Sequence, residues 1–352
     1  MMEKLTINLA TKLKQKPTDE SALSFGNIFT DHMFLMEYST EKGWYNPQIK
    51  PFEDFVLSPA ALVLHYAQTI FEGMKAYKGG RLFRPWDNMK RFQKSAQRMC
   101  IPHFDEEFVL ECLYELIRVE KGWIPESLGT SLYIRPTIIA TDAFLGVRPG
   151  NTYYLYIILC PVGAYYKAGF NPIKINVEDE YVRAVRGGVG HVKAGGNYAA
   201  SILAGNNATD KGCEQVMWLD AIERKYVEEV GAMSIFFKIN GQLYTPPLKG
   251  SVLPGITRDS IIKLATEKGM TVHEQQIAIE DVYKASLDGS LEEIFGTGTA
   301  AVISSVGELV WGDRHIVIND NKLGSFTSEM FNALTGIQYG TSEDTHGWTI
   351  EV

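Results

Sequence analysis

Residues 186–198 read Arg-Gly-Gly-Val-Gly-His-Val-Lys-Ala-Gly-Gly-Asn-Tyr, and a single lysine, Lys193, lies between two glycine-rich runs. Glycine allows the backbone to turn tightly and to come close to a bound molecule. A lysine held there away from bulk water has a lowered pKa and can act as a nucleophilic amine. A functional Lys193 is therefore predicted to form a Schiff base with a carbonyl compound. The alternative is a flexible glycine loop that carries a solvated lysine.

Two common phosphate-binding motifs do not fit this stretch. Counted from Gly188, a dinucleotide-binding fingerprint requires its third glycine where Lys193 stands. A P-loop requires Ser or Thr after its lysine, whereas Ala194 follows here. The lysine is therefore not explained as a nucleotide-phosphate ligand.

The composition excludes several classes of function. A length of 352 residues predicts about two domains, and a net charge of −8 argues against a nucleic-acid partner. No apolar run approaches the roughly 20 residues of a membrane span, and the N-terminus lacks a secretory signal. The four cysteines have neither metal-ligand nor redox spacing, which predicts reduced thiols in a cytoplasmic protein; they are Cys100, Cys112, Cys160 and Cys213.

Both halves of the chain mix strands and helices, which predicts an α+β fold. A helix is expected to begin at Pro85 with Asp87 as its cap and a core face at helical spacing, made of Met89, Phe92, Ala96 and Met99. Arg91 lies off that face and is expected to be available for other work. A second helix is expected over residues 105–121, with acidic residues in its first turn.

Several strands and hairpins are expected as well. Residues 131–140 alternate, which places Tyr133, Arg135 and Thr137 on one face of a strand. The run 153–160 is almost continuously apolar, which predicts a strand buried on both faces. Hairpins are predicted over residues 74–84 with a two-residue Gly-Gly turn, and at Asn240-Gly241. A helix is expected over residues 197–211, which Gly212 can terminate.

Three features together fit a pyridoxal phosphate site. The cofactor requires a lysine for its aldehyde, a carboxylate for its ring nitrogen, and amides with a cation for its phosphate. Lys193 meets the first requirement. Two turns could meet the third: residues 255–257, which open a helix, and residues 296–299, as a nest-like loop. Spacing leaves the carboxylate open among four residues: Asp220, Glu223, Glu228 and Glu229.

An ordered set of motifs covers the chain from about Phe25 to Val352. The motifs are Phe71-Glu-Gly-Met-Lys-Ala-Tyr77, Phe83-Arg-Pro-Trp86, Gly129-Thr-Ser-Leu-Tyr-Ile-Arg-Pro136, Leu159-Cys-Pro-Val-Gly-Ala-Tyr165, Lys193-Ala-Gly-Gly-Asn-Tyr198, Glu229-Val-Gly231, Thr245-Pro-Pro-Leu248, Leu253-Pro-Gly255 and Phe295-Gly-Thr-Gly-Thr-Ala300. In these motifs the chain resembles the branched-chain amino-acid aminotransferases, which are class IV pyridoxal phosphate enzymes.

The resemblance implies a two-domain fold of pyridoxal phosphate fold type IV, similar to D-amino-acid aminotransferase. It has a small N-terminal α/β domain and a larger, strand-rich C-terminal domain that binds the cofactor. The predicted boundaries are 1–162 for the small domain, 163–173 for the linker and 174–352 for the large domain. Family members are homodimers with the cofactor between the two domains.

The resemblance also implies roles for individual residues. Lys193 would carry the cofactor and move the substrate α-proton, and Glu229 would meet the pyridine nitrogen. Tyr198 would contact the phenolic oxygen of the ring. The phosphate would be bound by Arg91, Ile256, Thr257 and Thr299. The substrate would be bound by Tyr66, Phe71, Tyr133, Arg135, Tyr165, Val147 and Ala300, with Val147 in a loop that closes the neighbouring subunit's pocket.

The implied reaction is amino transfer between leucine, isoleucine or valine and 2-oxoglutarate, with glutamate as the other product. A D-amino-acid aminotransferase or an aminodeoxychorismate lyase has the same fold and is the alternative; a non-catalytic cofactor-binding protein is a third reading, which intact Lys193, Glu229 and Arg91 disfavour. The chain departs from the family in two places. Ala232 replaces a common threonine, and Ala301 and Ser304 replace the redox-active cysteine pair of animal members.

Overall fold

A computed structural model describes residues 3–163 and 170–352. The chain divides into two compact units. The first comprises Met1–Tyr165, Lys193–Gly195 and Ile337–Val352, and the second comprises Tyr166–Val192 and Gly196–Gly336. The predicted domain boundaries at residues 162 and 174 stay a prediction. None of the helices in the described part of the chain is both long and apolar enough to span a membrane.

The first unit is built on a largely antiparallel sheet with helices against it. Its elements, in chain order, are β1 (Thr6–Ile7), β2 (His32–Ser39), β3 (Gly43–Pro51), α1 (Leu62–Tyr66), β4 (Thr69–Phe71), β5 (Met74–Tyr77), β6 (Arg81–Phe83), α2 (Pro85–Arg98), α3 (Glu106–Val119), β7 (Ser131–Ala140) and β8 (Thr152–Val162). The strands are ordered β1-β3-β2-β8-β7-β5-β6, and β4 pairs with β7.

The second unit contains a mixed sheet. The remaining elements are β9 (Ile173–Glu178), α4 (Gly196–Ala199), α5 (Ile202–Asp210), β10 (Gln215–Leu219), β11 (Val227–Val230), β12 (Ser234–Ile239), β13 (Gln242–Thr245), α6 (Ile256–Glu267), β14 (Val272–Glu274), α7 (Ile279–Leu287), β15 (Leu291–Gly298), β16 (Val302–Trp311), β17 (Arg314–Val317), α8 (Ser325–Tyr339) and β18 (Thr349–Glu351). The strand order is β11-β10-β9-β16-β15-β12-β13-β14, with β17 on β16, while β18 pairs with β6 in the first sheet. The predicted α+β class is confirmed.

The alternating pattern at residues 131–140 forms strand β7 as predicted. Leu132, Ile134 and Ile138 lie in the core of the first unit. The opposite face carries Tyr133 and Arg135. Strand β7 therefore presents a tyrosine and an arginine side by side on the face away from that core.

The prediction that residues 153–160 are buried on both faces is wrong. In β8, Tyr153, Leu155, Ile157 and Leu159 are buried, while Tyr154, Tyr156 and Ile158 are only half-buried. The strand runs antiparallel to both β2 and β7. Antiparallel sheets commonly pack one face on a core and leave the other partly solvated, whereas burial on both faces is typical of parallel sheets.

Helix α2 begins at Pro85 as predicted, but Asp87 does not cap it. The cap position is Arg84, in a left-handed conformation, and its Nε donates to the Asp87 carboxylate at 2.7 Å. Asp87 lies inside the first turn, so its acidic side chain complements the helix dipole instead. The expected core positions Met89, Phe92 and Ala96 are buried.

The turn predictions have mixed outcomes. At Asn240-Gly241, Ile239 faces Gln242 and both turn residues have positive φ, which confirms the two-residue turn. The hairpin after β5 is connected instead by three residues, Lys78–Gly80, in a 3₁₀ turn. The helix expected over residues 197–211 is interrupted between α4 and α5. Gly212 follows it with φ of 70°, consistent with the predicted stop.

Candidate active site

The segment around Lys193 is held against strand β4. The Phe71 amide donates to the Lys193 carbonyl, and the Gly195 amide donates to the Thr69 carbonyl, both at 3.1 Å. At Gly195 a Cβ atom would lie 2.7 Å from Thr69 Cγ2. Glycine is therefore required for this close approach, and the lysine is fixed to a strand rather than carried on a mobile loop.

Ser95 of helix α2 provides a second anchor for the lysine. Its side chain is fully buried. The Ser95 hydroxyl accepts a hydrogen bond from the Lys193 amide at 3.1 Å and donates to the Arg91 carbonyl at 3.0 Å. The sequence did not single out Ser95, because a serine inside an amphipathic helix has no distinctive spacing.

The Lys193 amine lies in a desolvated and charged environment. Its Nζ is 4.9 Å from the centre of the Phe71 ring. Although part of the side chain remains accessible, desolvation lowers the pKa of Lys193 from 10.5 to about 8. Desolvation is the largest cause of this shift; the positive charge of Arg91 adds to it, and the negative charge of Glu72 opposes it. A substantial fraction of the amine is thus neutral near physiological pH, as a nucleophile requires.

The sequence suggested that Arg91 is available for a functional contact, but in the structure its side chain is already paired with a carboxylate. It is buried and forms a two-bond ion pair with Glu72, from Nε to Oε1 at 2.8 Å and from Nη2 to Oε2 at 2.9 Å. Helical spacing correctly placed Arg91 away from the main apolar face, but it could not reveal an acidic partner in a preceding loop.

Three side chains form a wall next to Lys193. The Arg135 guanidinium lies 4.4 Å from the centre of the Phe71 ring and 5.1 Å from that of Tyr133. Its Nη2 also donates to the Tyr133 hydroxyl at 2.8 Å. A Cβ atom at Gly73 would collide with that hydroxyl, so glycine at this position admits the tyrosine. The predicted substrate residues Phe71, Tyr133 and Arg135 are thus brought together.

The other predicted substrate residues are placed differently. Tyr66 and Val147 are exposed on this chain, and the Tyr66 hydroxyl donates to the Leu145 carbonyl. Ala300 belongs to the second unit and is partly exposed in the turn after β15. Tyr165 lies outside the described residues.

In the second unit, the four candidate carboxylates have different surroundings. Asp220 accepts hydrogen bonds from four backbone amides and so organises the turn between β10 and β11. Glu223 is exposed. Glu228 accepts from the Ser251 hydroxyl, and burial raises the pKa of its carboxyl. Glu229 is buried and forms an ion pair with Arg183.

Arg183 is a further residue that sequence reasoning missed. Its Nη2 donates to the Ser251 carbonyl at 2.7 Å while it pairs with Glu229. An opposite charge close to a carboxyl group favours its ionised form. Of the four candidates, Glu229 is the buried carboxylate that forms an ion pair with an arginine.

Residues 255–257 open helix α6 as predicted, and their contact with a phosphate stays a prediction. Gly255 is the cap residue of this helix, and Ile256 and Thr257 are buried in the first turn. The dipole of a helix favours an anion at this end. A Cβ atom at Gly255 would lie 2.8 Å from Ser234 Oγ. Ser234 is the cross-strand partner of Thr297. Within residues 3–163 and 170–352, the buried Thr297 hydroxyl has no hydrogen-bond partner.

The second predicted turn is not a nest-like loop. Residues 296–298 are the end of strand β15, and only Thr299 and Ala300 lie in the following turn. Thr299 is half-buried there. Tyr198 is half-buried in the short helix α4. The assigned roles of Thr299 and Tyr198 stay predictions.

Comparison with known proteins identifies the family. The model of the amino-transferase class IV family matches residues 69–309. The chain is 54% identical to branched-chain-amino-acid aminotransferase 2 of Bacillus subtilis, over 99% of this chain and 97% of that protein. It is similar to the solved branched-chain amino acid aminotransferase of Escherichia coli, with a TM-score of 0.77 and 31% identity over 91% of this chain and 98% of that one.

A further solved relative is the T.th. branched-chain amino acid aminotransferase complexed with N-(5'-phosphopyridoxyl)-L-glutamate. It has a TM-score of 0.73 and 27% identity, over 90% of this chain and 97% of that one. The full-length identity and the shared fold agree with the matched family model. The chain therefore belongs to the class IV amino-transferases and, among them, to the branched-chain-amino-acid aminotransferase family.

Proposed function

We propose that the protein transfers amino groups between leucine, isoleucine or valine and 2-oxoglutarate, with pyridoxal phosphate bound to Lys193. The observation that carries this proposal is the Lys193 amine, which is fixed by Ser95 and strand β4 and has a pKa lowered to about 8. When bound, pyridoxal phosphate supplies an aldehyde for covalent attachment and a ring that withdraws electrons from the substrate.

The chain's donor groups fit this cofactor. Lys193 provides the amine, and Glu229 provides a buried carboxylate for the ring nitrogen. The start of α6 provides the amides of Ile256 and Thr257 for the phosphate, and the buried Thr297 hydroxyl lacks a partner in the described ranges. We propose that Arg91 and Thr299 also contact the phosphate and that Tyr198 contacts the phenolic oxygen.

Lys193 is proposed to act twice. Its neutral amine binds the cofactor, and once released by the substrate it carries the proton that leaves the substrate α-carbon. Arg91 and Arg135 lower the pKa of this amine, and Glu72 and Tyr133 raise it. Burial is the largest cause of the lowered pKa, and these four side chains adjust the fraction of Lys193 that is neutral near neutral pH.

The wall formed by Phe71, Tyr133 and Arg135 is proposed to accept both substrate types. The aromatic rings can cover a branched hydrocarbon side chain, and the Arg135 guanidinium can pair with the γ-carboxylate of glutamate. We also propose contacts from Tyr66, Tyr165, Val147 and Ala300, following the resemblance to the family. A pocket formed by these residues is proposed to accept branched-chain amino acids, glutamate and the corresponding 2-oxo acids.

The reaction is tested with a panel of amino donors and 2-oxoglutarate, with glutamate formation as the readout. Leucine, isoleucine and valine are expected to be the best donors. A preference for D-alanine, or pyruvate release from aminodeoxychorismate, would favour the alternative class IV enzymes. A protein that binds the cofactor and reacts with no donor would contradict the proposal.

We further propose a cytoplasmic homodimer. The resemblance to the family supports the dimer, and exposed Tyr66 and Val147 supply apolar surface that a second subunit could cover. The four cysteines are free thiols, which supports a reducing compartment. Sedimentation of the purified protein tests the dimer, and a monomer at micromolar concentration would contradict it.

A further inference from the structure

No contact with the cofactor or the substrate has been assigned to Glu72, the partner of Arg91 in a buried ion pair. Glu72 is fully buried in the loop between β4 and β5. Its amide donates to the Pro136 carbonyl at 2.8 Å, and its Oε2 accepts from the Gly73 amide at 3.1 Å. Backbone hydrogen bonds thus fix the position of the Glu72 carboxylate independently of its ion pair with Arg91.

The geometry of the pair fixes the arginine. Two parallel N–H···O bonds between a guanidinium and a carboxylate define the plane of both groups. Glu72 occupies the edge formed by Nε and Nη2 of Arg91. A second anion would therefore have to be met by the edge that includes Nη1. An ion pair through one nitrogen alone would not fix the orientation of the guanidinium plane, and so would not fix the direction of the Nη1 edge.

The backbone of Arg91 is tied to the lysine as well. Ser95 lies one helical turn further along α2, and its hydroxyl links the Arg91 carbonyl to the Lys193 amide. Both charges of the pair affect the pKa of Lys193, Arg91 by lowering it and Glu72 by raising it. Arg91 is thus held at both ends: Glu72 binds its guanidinium, and Ser95 connects its backbone carbonyl to the Lys193 amide.

We propose that Glu72 is a positioning residue that orients Arg91 so that the Nη1 edge of the guanidinium binds the cofactor phosphate next to Lys193. This inference rests on the proposed role of Arg91 as a phosphate ligand. Without Glu72, Arg91 remains charged but samples several side-chain conformations, so its contact with the phosphate is weakened.

The test compares two ligands that differ only in the phosphate. The dissociation constants of pyridoxal and pyridoxal 5'-phosphate are measured on the full chain after removal of the cofactor. The constant for pyridoxal divided by the constant for pyridoxal 5'-phosphate is the ratio that reports the phosphate contribution. Arg91→Met is expected to reduce this ratio by roughly ten- to a hundredfold, since a charge-assisted hydrogen bond is lost. Glu72→Gln is expected to reduce it by a similar factor, and Glu72→Asp by less.

Glu120→Gln is the matched control. Glu120 is also a buried carboxylate of the first unit, and it pairs with His32. Its replacement is expected to lower thermal stability and leave the ligand ratio unchanged. A general loss of stability would reduce binding of both ligands without changing their ratio. If Glu72→Gln does not fold, Glu72→Asp, which keeps the charge but shortens the side chain, provides the measurement.

The outcomes distinguish the positioning role of Glu72 from the phosphate-binding role of Arg91. If Arg91→Met lowers the ratio and folded Glu72 variants leave it unchanged, the positioning role is overturned while Arg91 remains a phosphate ligand. If Arg91→Met also leaves the ratio unchanged, both assignments fail. An equal reduction in Glu120→Gln would show that the ratio responds to general destabilisation, and this too would overturn the proposal.

Discussion

Replacing Arg135 by methionine is expected to separate the two substrate types. An aminotransferase of this kind must accept a hydrocarbon side chain in one half-reaction and a γ-carboxylate in the other. The Arg135 guanidinium lies on the rings of Phe71 and Tyr133 and is bonded to the Tyr133 hydroxyl. It thus provides a cation at an otherwise apolar wall, and methionine keeps the apolar volume while removing the charge.

The size of the effect follows from the contacts. Loss of a charge-assisted hydrogen bond to glutamate costs about 1.5–3 kcal/mol, which is roughly ten- to a hundredfold in KM. Leucine makes no such bond, and methionine preserves the surface that covers it, so its KM is expected to change by less than about threefold. Loss of the cation–π contacts with the two rings is expected to lower stability by about 1 kcal/mol.

Single half-reactions provide the assay. The cofactor-loaded enzyme is mixed with leucine or glutamate alone, and the change in cofactor absorbance gives the rate and apparent affinity for each. Arg135→Lys is the matched control, since it keeps the charge without the planar fork and is expected to fall between wild type and Arg135→Met for glutamate. Equal losses for leucine and glutamate would refute the reasoning and make Arg135 a structural residue.

Three further predictions concern reactive side chains. Lys193→Ala is expected to fold and to lose turnover by orders of magnitude, because covalent attachment and proton transfer use one amine; borohydride trapping and peptide mapping check this, and label on Lys75 would contradict it. Burial lowers the pKa of Lys75 from 10.5 to about 7, so unfolding takes up a proton between these values. The wild type should therefore gain stability as pH rises from 7 to 10.5; chemical denaturation of Lys75→Met should show a weaker rise, and an unchanged slope would argue against a lowered pKa. Mild peroxide is expected to leave activity unchanged and to modify Cys100, the exposed thiol; inactivation reversed by dithiothreitol would contradict this.

Much of the fold could be predicted because its signals are local. The Asn240-Gly241 turn depends on two residues that tolerate positive φ. Asp105 caps helix α3 by accepting from the Phe108 amide, as its position before a helical pattern suggests. The second face of β8 could not be predicted in this way. Its exposure depends on how neighbouring strands pack, and the run of apolar residues carries no information about that packing.

The site shows the same division between local and distant information. Lys193 could be singled out because glycines surround it. Glu228 and Glu229 are adjacent, so spacing could not choose between them. In the structure Glu228 meets the Ser251 hydroxyl, while Glu229 meets Arg183. Those partners are distant in the sequence, and only the fold brings them to the carboxylates.

The glycines of the second predicted phosphate turn are best explained by packing. A Cβ atom at Gly296 would lie 2.9 Å from Met233 Cε, and one at Gly298 would lie 3.5 Å from Met233 Cγ. Glycine inside a strand commonly marks such close approach of a neighbour. Side chains alternate along β15, so Thr297 lies on the opposite face, next to its cross-strand partner Ser234. The glycines thus admit a methionine on one face, while hydroxyls near the start of α6 become available on the other.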